Sequence, residues 1–363
     1  MRIVLAGGGT FGHVGPLLVT ADELRRRWPE VELRVVGTAS GLEASLVPQA
    51  GLRLAIIPKT PWPRRPGVEA RRFIGAWRQA VAAADALLKD FKPDGVVGFG
   101  GYVSPPVYWA AFRNKVAVVV HEANARPGLA NRWGARRAAA VGVALAGTPL
   151  PNARLVGMPL RPGLARLDRA GSRAQARRQL GLDPVKPTLL VAGGSLGALN
   201  LNQAAAAVAS ELIGAGAQVL HLTGRGKSQA VRLGLGSLNA SQTASYHIME
   251  YLESMELALA AADLALQRAG AATVAELACA GLPAVLVPLR IGNGEQRHNA
   301  AGLVKAGAAV LVTDDEIGHW VTGNLAELLT SPDRLAAMSQ AASSIAIRDG
   351  AERLVDLIEE VTR

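Results

Sequence analysis

The sequence predicts an α/β protein built from two Rossmann-like domains, each a parallel sheet covered by helices on both faces. Three observations carry that prediction. Short apolar runs alternate with helix-length amphipathic segments, and this rhythm occurs twice along 363 residues, a length suited to two cores. Each half holds a glycine-rich turn directly after an apolar run: Ala6-Gly-Gly-Gly-Thr-Phe-Gly-His-Val-Gly-Pro16 in the first, Arg268-Ala-Gly-Ala-Ala-Thr-Val-Ala-Glu276 in the second. Glycine is abundant (40 residues) while aromatics make up only 4%, which suits close packing of helices on sheets rather than a β-sandwich. Two such turns in one chain suggest two nucleotide-type domains facing each other across a cleft.

In the first half, strands are expected at Ile3–Ala6, Leu33–Gly37, Arg53–Ile57, Gly95–Phe99 and Ala117–Val120. Between the first two, Val14, Leu17, Leu18, Ala21, Leu24 and Trp28 recur at helical spacing. In the second half, strands are expected at Thr188–Ala192, Gln218–Leu222, Ala262–Leu266, Ala284–Val287 and Ala308–Val312. Gly and Pro punctuate the stretch from Val156 to Gly163, which reads as the break between domains.

The net charge of +10 is uneven. Residues 1–161 hold 22 Lys and Arg against 10 Asp and Glu, whereas residues 162–363 hold 17 against 19. A basic first half implies an anionic partner on that side. No helix-turn-helix, zinc finger or aromatic RNA-binding signature accompanies the charge, which argues against nucleic acid. The single cysteine, Cys279, excludes an internal disulfide and lies in an apolar helical stretch, where a buried structural thiol is expected. No run is apolar enough to span a membrane. No Cys/His cluster or Asp-x-Asp motif points to a metal, and no cofactor is expected.

Each motif falls at the end of an expected strand. A glycine turn leading into a helix is an anion site, because unpaired N–H groups and the helix dipole both favour phosphate. Gly7-Gly-Gly9-Thr-Phe-Gly12 satisfies the dinucleotide pattern, but an oxidoreductase needs an acid at the end of the second strand, and Val35-Val-Gly-Thr38 has none. His13 stands at the mouth of this turn. Gly98-Phe-Gly-Gly-Tyr-Val-Ser-Pro105 offers a possible backbone anion nest, and His121-Glu-Ala-Asn124 follows another strand, so both should open toward ligand. In the second half, Gly193-Gly-Ser-Leu-Gly-Ala198 could cradle a pyrophosphate. Glu276 is placed to reach back toward a sugar hydroxyl, and Gln296 in Gly294-Glu-Gln-Arg-His-Asn299 suits sugar hydroxyls. The stretch from Ile56 to Arg78 mixes Trp62, Phe73 and Trp77 with Lys59, Arg64, Arg65, Arg71, Arg72 and Arg78. Apolar anchors among basic residues suit an anionic bilayer surface; the competing reading turns Phe73 and Trp77 into the core.

Seven ordered motifs resemble the MurG family of UDP-N-acetylglucosamine transferases, in a form like its actinobacterial members. They are Gly8–Pro16, Val97–Ser104, His121–Asn131, Gly193–Ala198, Tyr251–Met255, Arg268–Pro288 and Gly292–Ala300. The resemblance implies the GT-B fold. Residues 1–159 would form an acceptor- and membrane-facing domain and residues 160–344 a UDP-GlcNAc domain, with a helix at about 345–363 packing back on the first. It also implies an inverting, metal-independent transfer of GlcNAc to lipid I, the undecaprenyl-diphosphate muramyl-pentapeptide, by an enzyme peripheral to the cytoplasmic face of the cell membrane. His13 would be the catalytic residue. Asn124, Arg161, Ser195, Leu252, Arg268, Ala271, Thr273, Glu276 and Gln296 would bind the donor. Thr10 and Gly12 count with them and lie near the acceptor diphosphate, while Gly9, Gly101 and Tyr102 would serve the acceptor. Phe11, Ala123 and Leu196 stand where the family usually has Gly, Gln and Gln. Alternatives are another GT-B lipid glycosyltransferase and a catalytically silent UDP-sugar-binding subunit.

Overall fold

A computed structural model describes residues 1–61, 68–194, 198–236, 238–289 and 294–363, the side chains of residues 68–71 aside. The chain divides into two compact units, Met1–Leu160 with Asp349–Arg363, and Arg161–Arg348.

The first unit is a seven-stranded parallel sheet: β1 (Arg2–Ala6), β2 (Glu32–Gly37), β3 (Arg53–Ile56), β4 (Gly95–Gly98), β5 (Ala117–Glu122), β6 (Ala140–Val143) and β7 (Ala153–Leu155). Their spatial order is β3-β2-β1-β4-β5-β6-β7. The chain winds outward from β1 through β3, then returns to lay β4 on the other side of β1, with Ala6 opposite Gly98. That reversal makes the C-terminal ends of β1 and β4 the switch point, where open α/β sheets bind ligands. Both faces are covered. Ile3, Leu5 and Val97 pack against Leu17, Ala21 and Leu24 of the helix Phe11–Arg27, and Val4, Val96 and Val118 against the helices Val68–Phe91 and Ser104–Arg113.

The last helix, Gly350–Thr362, belongs to this unit: Leu354, Val355, Leu357 and Ile358 are buried beside Ile3 and Leu5. Its acids pair with the first unit's arginines, Asp356 with Arg27 and Glu360 with Arg154. The folded units therefore differ in charge less than the sequence halves. The first holds 23 Lys and Arg against 15 Asp and Glu, the second 16 against 14.

The second unit is a six-stranded parallel sheet: β8 (Thr188–Ala192), β9 (Gln218–Leu222), β10 (Tyr246–Met249), β11 (Leu264–Gln267), β12 (Ala284–Leu286) and β13 (Ala309–Leu311), ordered β10-β9-β8-β11-β12-β13. Its switch point lies between the ends of β8 and β11. The helix Ala271–Ala280 starts at the second glycine turn and stops at Gly281, whose φ of 59° is the left-handed cap that glycine adopts without steric cost.

Strands β6, β7 and β10 are absent from the sequence-based expectation. β6 lies in an Ala/Gly/Val run without alternation, β7 has only three exposed residues, and β10 interrupts its apolar pattern with His247. Each is fixed by pairing with a neighbour rather than by its own pattern.

Candidate functional site

In the first unit the turns after β1 and β4 meet around His13. The ring lies on the third residue of the helix Phe11–Arg27, where helical spacing turns it back over Gly8. His13 Nδ1 is 3.1 Å from Gly8 O and 3.3 Å from Thr10 Oγ1. A carbonyl only accepts, so Nδ1 carries the proton and Nε2 keeps its lone pair. Burial lowers the imidazole pKa against the opposing pull of the Gly8 hydrogen bond, Glu122 and Glu43, which keeps the ring neutral near pH 7.

The second turn requires glycine. Gly101 has φ 79°, and a Cβ there would lie 2.5 Å from Gly8 O and 3.3 Å from His13 Nδ1. Ser104 pins this turn, accepting from Gly100 N (3.1 Å) and lying 2.8 Å from Gly100 O and 3.1 Å from Ala6 O. Tyr102 is half exposed, with Lys59 Nζ 6.0 Å from its ring centre. Gly12 is exposed at the helix start. Phe11 is exposed too, its ring lying against Gly15 one turn on.

An acid does reach the first glycine turn, from a place the sequence pattern did not indicate. Glu43, fully buried at the start of the helix Glu43–Gln49, accepts from Gly9 N (2.8 Å), Thr38 N (2.9 Å) and Thr38 Oγ1 (2.8 Å). Burial alone would raise its pKa; these hydrogen bonds hold it below the usual value. Glu43 thus occupies the end of β2, where a dinucleotide enzyme keeps its ribose-binding acid, but it spends its oxygens on the protein. The Gly9 N–H is taken up by this carboxylate.

His121 and Glu122 are the last residues of β5 rather than loop residues after it. His121 is buried, donates from Nε2 to Gly157 O (3.2 Å), and burial lowers its pKa to about 4, so its role is structural. Glu122 accepts from Asn124 N (2.9 Å), Gly128 N (3.1 Å) and Asn131 Nδ2 (3.0 Å), and Asn131 Oδ1 accepts from Tyr108 OH (2.9 Å). This network shapes the polar end of a cavity of about 610 Å³ lined by His13, Gly101, Glu122, Asn124 and Asn131. Its other walls are aromatic: Phe73 and Trp77 from one helix, and Trp109 stacked on Trp133 at 5.9 Å. Phe73 and Trp77 are therefore neither core residues nor fully solvated; they line a pocket. Around it Ile74, Trp109 and Leu129 are exposed, together with Arg72 and Arg78. Arg64, Arg65 and the Arg71 side chain lie outside the described residues.

In the second unit, the helix Ala271–Ala280 begins with no side-chain cap at Gly270. Ala271 is its first residue and Thr273 its third, the latter's Oγ1 3.5 Å from a Cβ built on Gly270. Arg268 is buried; its Nη1 binds Asp314 Oδ1 at 2.5 Å and Val287 O at 3.2 Å. Arg268 Nε and Gln267 Nε2 are buried without a protein acceptor at the end of β11. Glu276 is half-buried. Desolvation pushes its pKa up to about 7, with Arg161 pulling it down and Glu256 pushing it further up. Gln296 Oε1 accepts from Leu289 N (2.9 Å), and Leu252 is half-buried just beyond β10. Ser195, Leu196 and Arg290–Asn293 lie outside the described residues. Cys279 is buried, its thiol pushed up to about 11. Among the described residues no helix is long and apolar enough to cross a membrane, and no group of three or more His, Cys, Asp or Glu could hold a metal ion.

The chain matches the glycosyltransferase family 28 N-terminal domain over residues 3–143 and the family's C-terminal domain over residues 188–354. It is 52% identical to a protein of Leifsonia xyli subsp. xyli, over 98% of this chain and 97% of that one, and 50% identical to one of Nocardioides sp., over 99% and 98%. Both relatives are named UDP-N-acetylglucosamine--N-acetylmuramyl-(pentapeptide) pyrophosphoryl-undecaprenol N-acetylglucosamine transferase. The chain belongs to the MurG family of glycosyltransferases. Among solved structures it resembles Acinetobacter baumannii MurG, with a TM-score of 0.82, 28% identity and 99% coverage of both chains. This match and the two parallel sheets give it the GT-B fold.

Within the MurG frame, sequence reasoning found the turns and missed what holds them. Glu43, Ser104 and Asp314 are separated from their partners by 34, 98 and 46 positions, and no local spacing announces such contacts. The Trp109–Trp133 wall carried one available signal, apolar aromatics beside glycine motifs.

Proposed function

We propose that this chain transfers GlcNAc from UDP-GlcNAc to the muramyl 4-hydroxyl of lipid I, forming lipid II, with inversion at C1 and without a metal ion. The observation that carries the reading is full-length identity of about half to relatives bearing that transferase name. His13 supplies the chemistry. Its Nδ1 proton is committed to Gly8 O, so Nε2 takes the proton of the attacking 4-hydroxyl as the new bond to C1 forms. The bond from C1 to the diphosphate oxygen breaks, UDP departs, and His13 returns its proton to solvent.

On the donor side, the uncapped N-terminus of the helix Ala271–Ala280 faces the leaving diphosphate with Ala271 and Thr273, joined by Ser195 and by the unpaired Arg268 Nε. Glu276 accepts from the ribose hydroxyls, the Leu252 backbone meets the uracil, and Arg161 lies beside them. Gln296 and Asn124 bind GlcNAc hydroxyls. On the acceptor side, Gly9, Thr10, Gly12, Gly101 and Tyr102 border the acceptor diphosphate, and the 610 Å³ cavity with its aromatic walls receives the acceptor. The exposed apolar rim with Arg72 and Arg78 rests on the cytoplasmic face of the membrane as a peripheral contact. The deciding experiment is UDP release from UDP-GlcNAc in EDTA, with and without a soluble lipid I analogue. Acceptor-dependent release is expected; donor binding without release would overturn the transferase reading in favour of a silent UDP-sugar binder.

A further inference from the structure

The second unit has another cavity, of about 760 Å³, at the N-terminal ends of its central strands, the end opposite the glycine turns. Pro187 and Asp263 on its wall immediately precede β8 and β11. The helix Arg169–Gln179 presents Arg169, Arg173 and Arg177 to it, four residues apart and so on one face, where like charges repel. Asp263 is the one carboxylate among the lining residues, and its oxygens are committed. Oδ2 accepts from Arg177 Nη2 (2.7 Å) and Thr188 N (2.8 Å), and Oδ1 lies 3.3 Å from Arg173 Nη1.

Arg177 spends its other N–H groups on Ala261 O and Pro184 O. Arg169 donates only to neutral groups: Ala280 O, Ala262 O and Ser339 Oγ. Arg173 Nε is buried with no acceptor. Burial chiefly, and then the neighbouring Arg173, pull the Arg169 guanidinium down to about 10, with Asp263 pulling the other way. Three cations share one anion, and the walls add the hydroxyls of Thr330 and Ser343.

We propose that this cavity binds a phosphate-class dianion, held chiefly by Arg173 and Arg169, at a site separate from that of the glycosyl transfer. A dianion balances the two uncompensated charges, and guanidinium forks suit phosphate oxygens. Its occupant would add, through Ser343, to the Arg169–Ser339 hydrogen bond that already joins the helix Arg169–Gln179 to the helix Pro332–Ser344. Free phosphate compounds and phosphomonoester lipid headgroups share this chemistry.

The test titrates inorganic phosphate into the full chain at constant ionic strength, with saturating UDP blocking the nucleotide site, and follows heat and Tm. Saturable binding with a rise in Tm is expected. Arg173→Ala should weaken it on the order of tenfold, the loss expected for charge-assisted hydrogen bonds. Arg178→Ala, exposed on the same helix and outside the cavity, should leave it unchanged. Arg173→Lys keeps the charge opposite Asp263 and, by losing the buried Nε–H, should also weaken binding, which guards against a misfolded alanine variant. A second arm uses phosphatidylcholine vesicles with and without phosphatidic acid. Arg173-dependent binding in this arm with little response to free phosphate would support the site and assign it to a headgroup. Equal stabilisation of wild type and both Arg173 variants, or saturable binding in neither arm, would overturn the proposal.

Discussion

Glu276 should make donor binding depend on pH. Its carboxyl is pushed up to about 7 by burial, so near neutrality the unliganded protein holds it half protonated. Only the carboxylate accepts from both ribose hydroxyls; the protonated acid turns one oxygen into a donor. Apparent affinity then follows the ionised fraction, which falls from about nine-tenths at pH 8 to about one-tenth at pH 6. The dissociation constant for UDP-GlcNAc should rise about tenfold across that window, about 1.4 kcal/mol. The pyrophosphate diester of the donor has no group that titrates there. Calorimetry in buffers of different ionisation enthalpy checks this directly, since binding at pH 6.5 should release a proton. Glu276→Gln should bind more weakly at pH 8 and show a flatter profile. An affinity unchanged from pH 8 to 6, or identical profiles for wild type and Glu276→Gln, would refute the reasoning. The same shift has a consequence for folding. The folded-state pKa stands above its ordinary 4.5, so this group favours the folded state increasingly as pH falls from 7 toward 4.5.

Three further outcomes are expected. His13→Gln should lower kcat by about 10²–10⁴-fold while changing UDP-GlcNAc affinity less than about twofold, measured by steady-state kinetics alongside calorimetry. Glu43→Ala should destabilise the protein by about 2–4 kcal/mol in denaturant unfolding, because it strands Gly9 N, Thr38 N and the Thr38 hydroxyl. The wild-type contribution of Glu43, with its depressed pKa, is present above its unfolded value near 4.5 and is lost as pH falls through the folded value. Arg72→Glu with Arg78→Glu should weaken cosedimentation with anionic vesicles by more than about tenfold, at about 1 kcal/mol per charge, and leave neutral vesicles unaffected.

Periodicity and glycine placement determined most of the architecture by themselves. Ten of the thirteen described strands, the anion turns at Gly7–Gly12 and Arg268–Gly270, and the position of His13 are local facts, set by short apolar runs that end in small-residue turns and, at Gly9 with its φ of 89°, by backbone that favours glycine. The motif series also carried the family. Tertiary structure decided what the turns are free to do. Gly9 N looks like a phosphate donor along the sequence and is bonded to Glu43 in the fold; Arg268 looks like a donor ligand and is paired with Asp314. The sheet order that places β1 beside β4 brings Gly101 against Gly8 and His13 across 88 residues of chain, so close that no side chain fits there. Even the charge of the first unit is a tertiary fact, because the acidic last helix docks there. A hydrogen bond or a burial cost depends on neighbours distant in the chain, and those neighbours are chosen by packing.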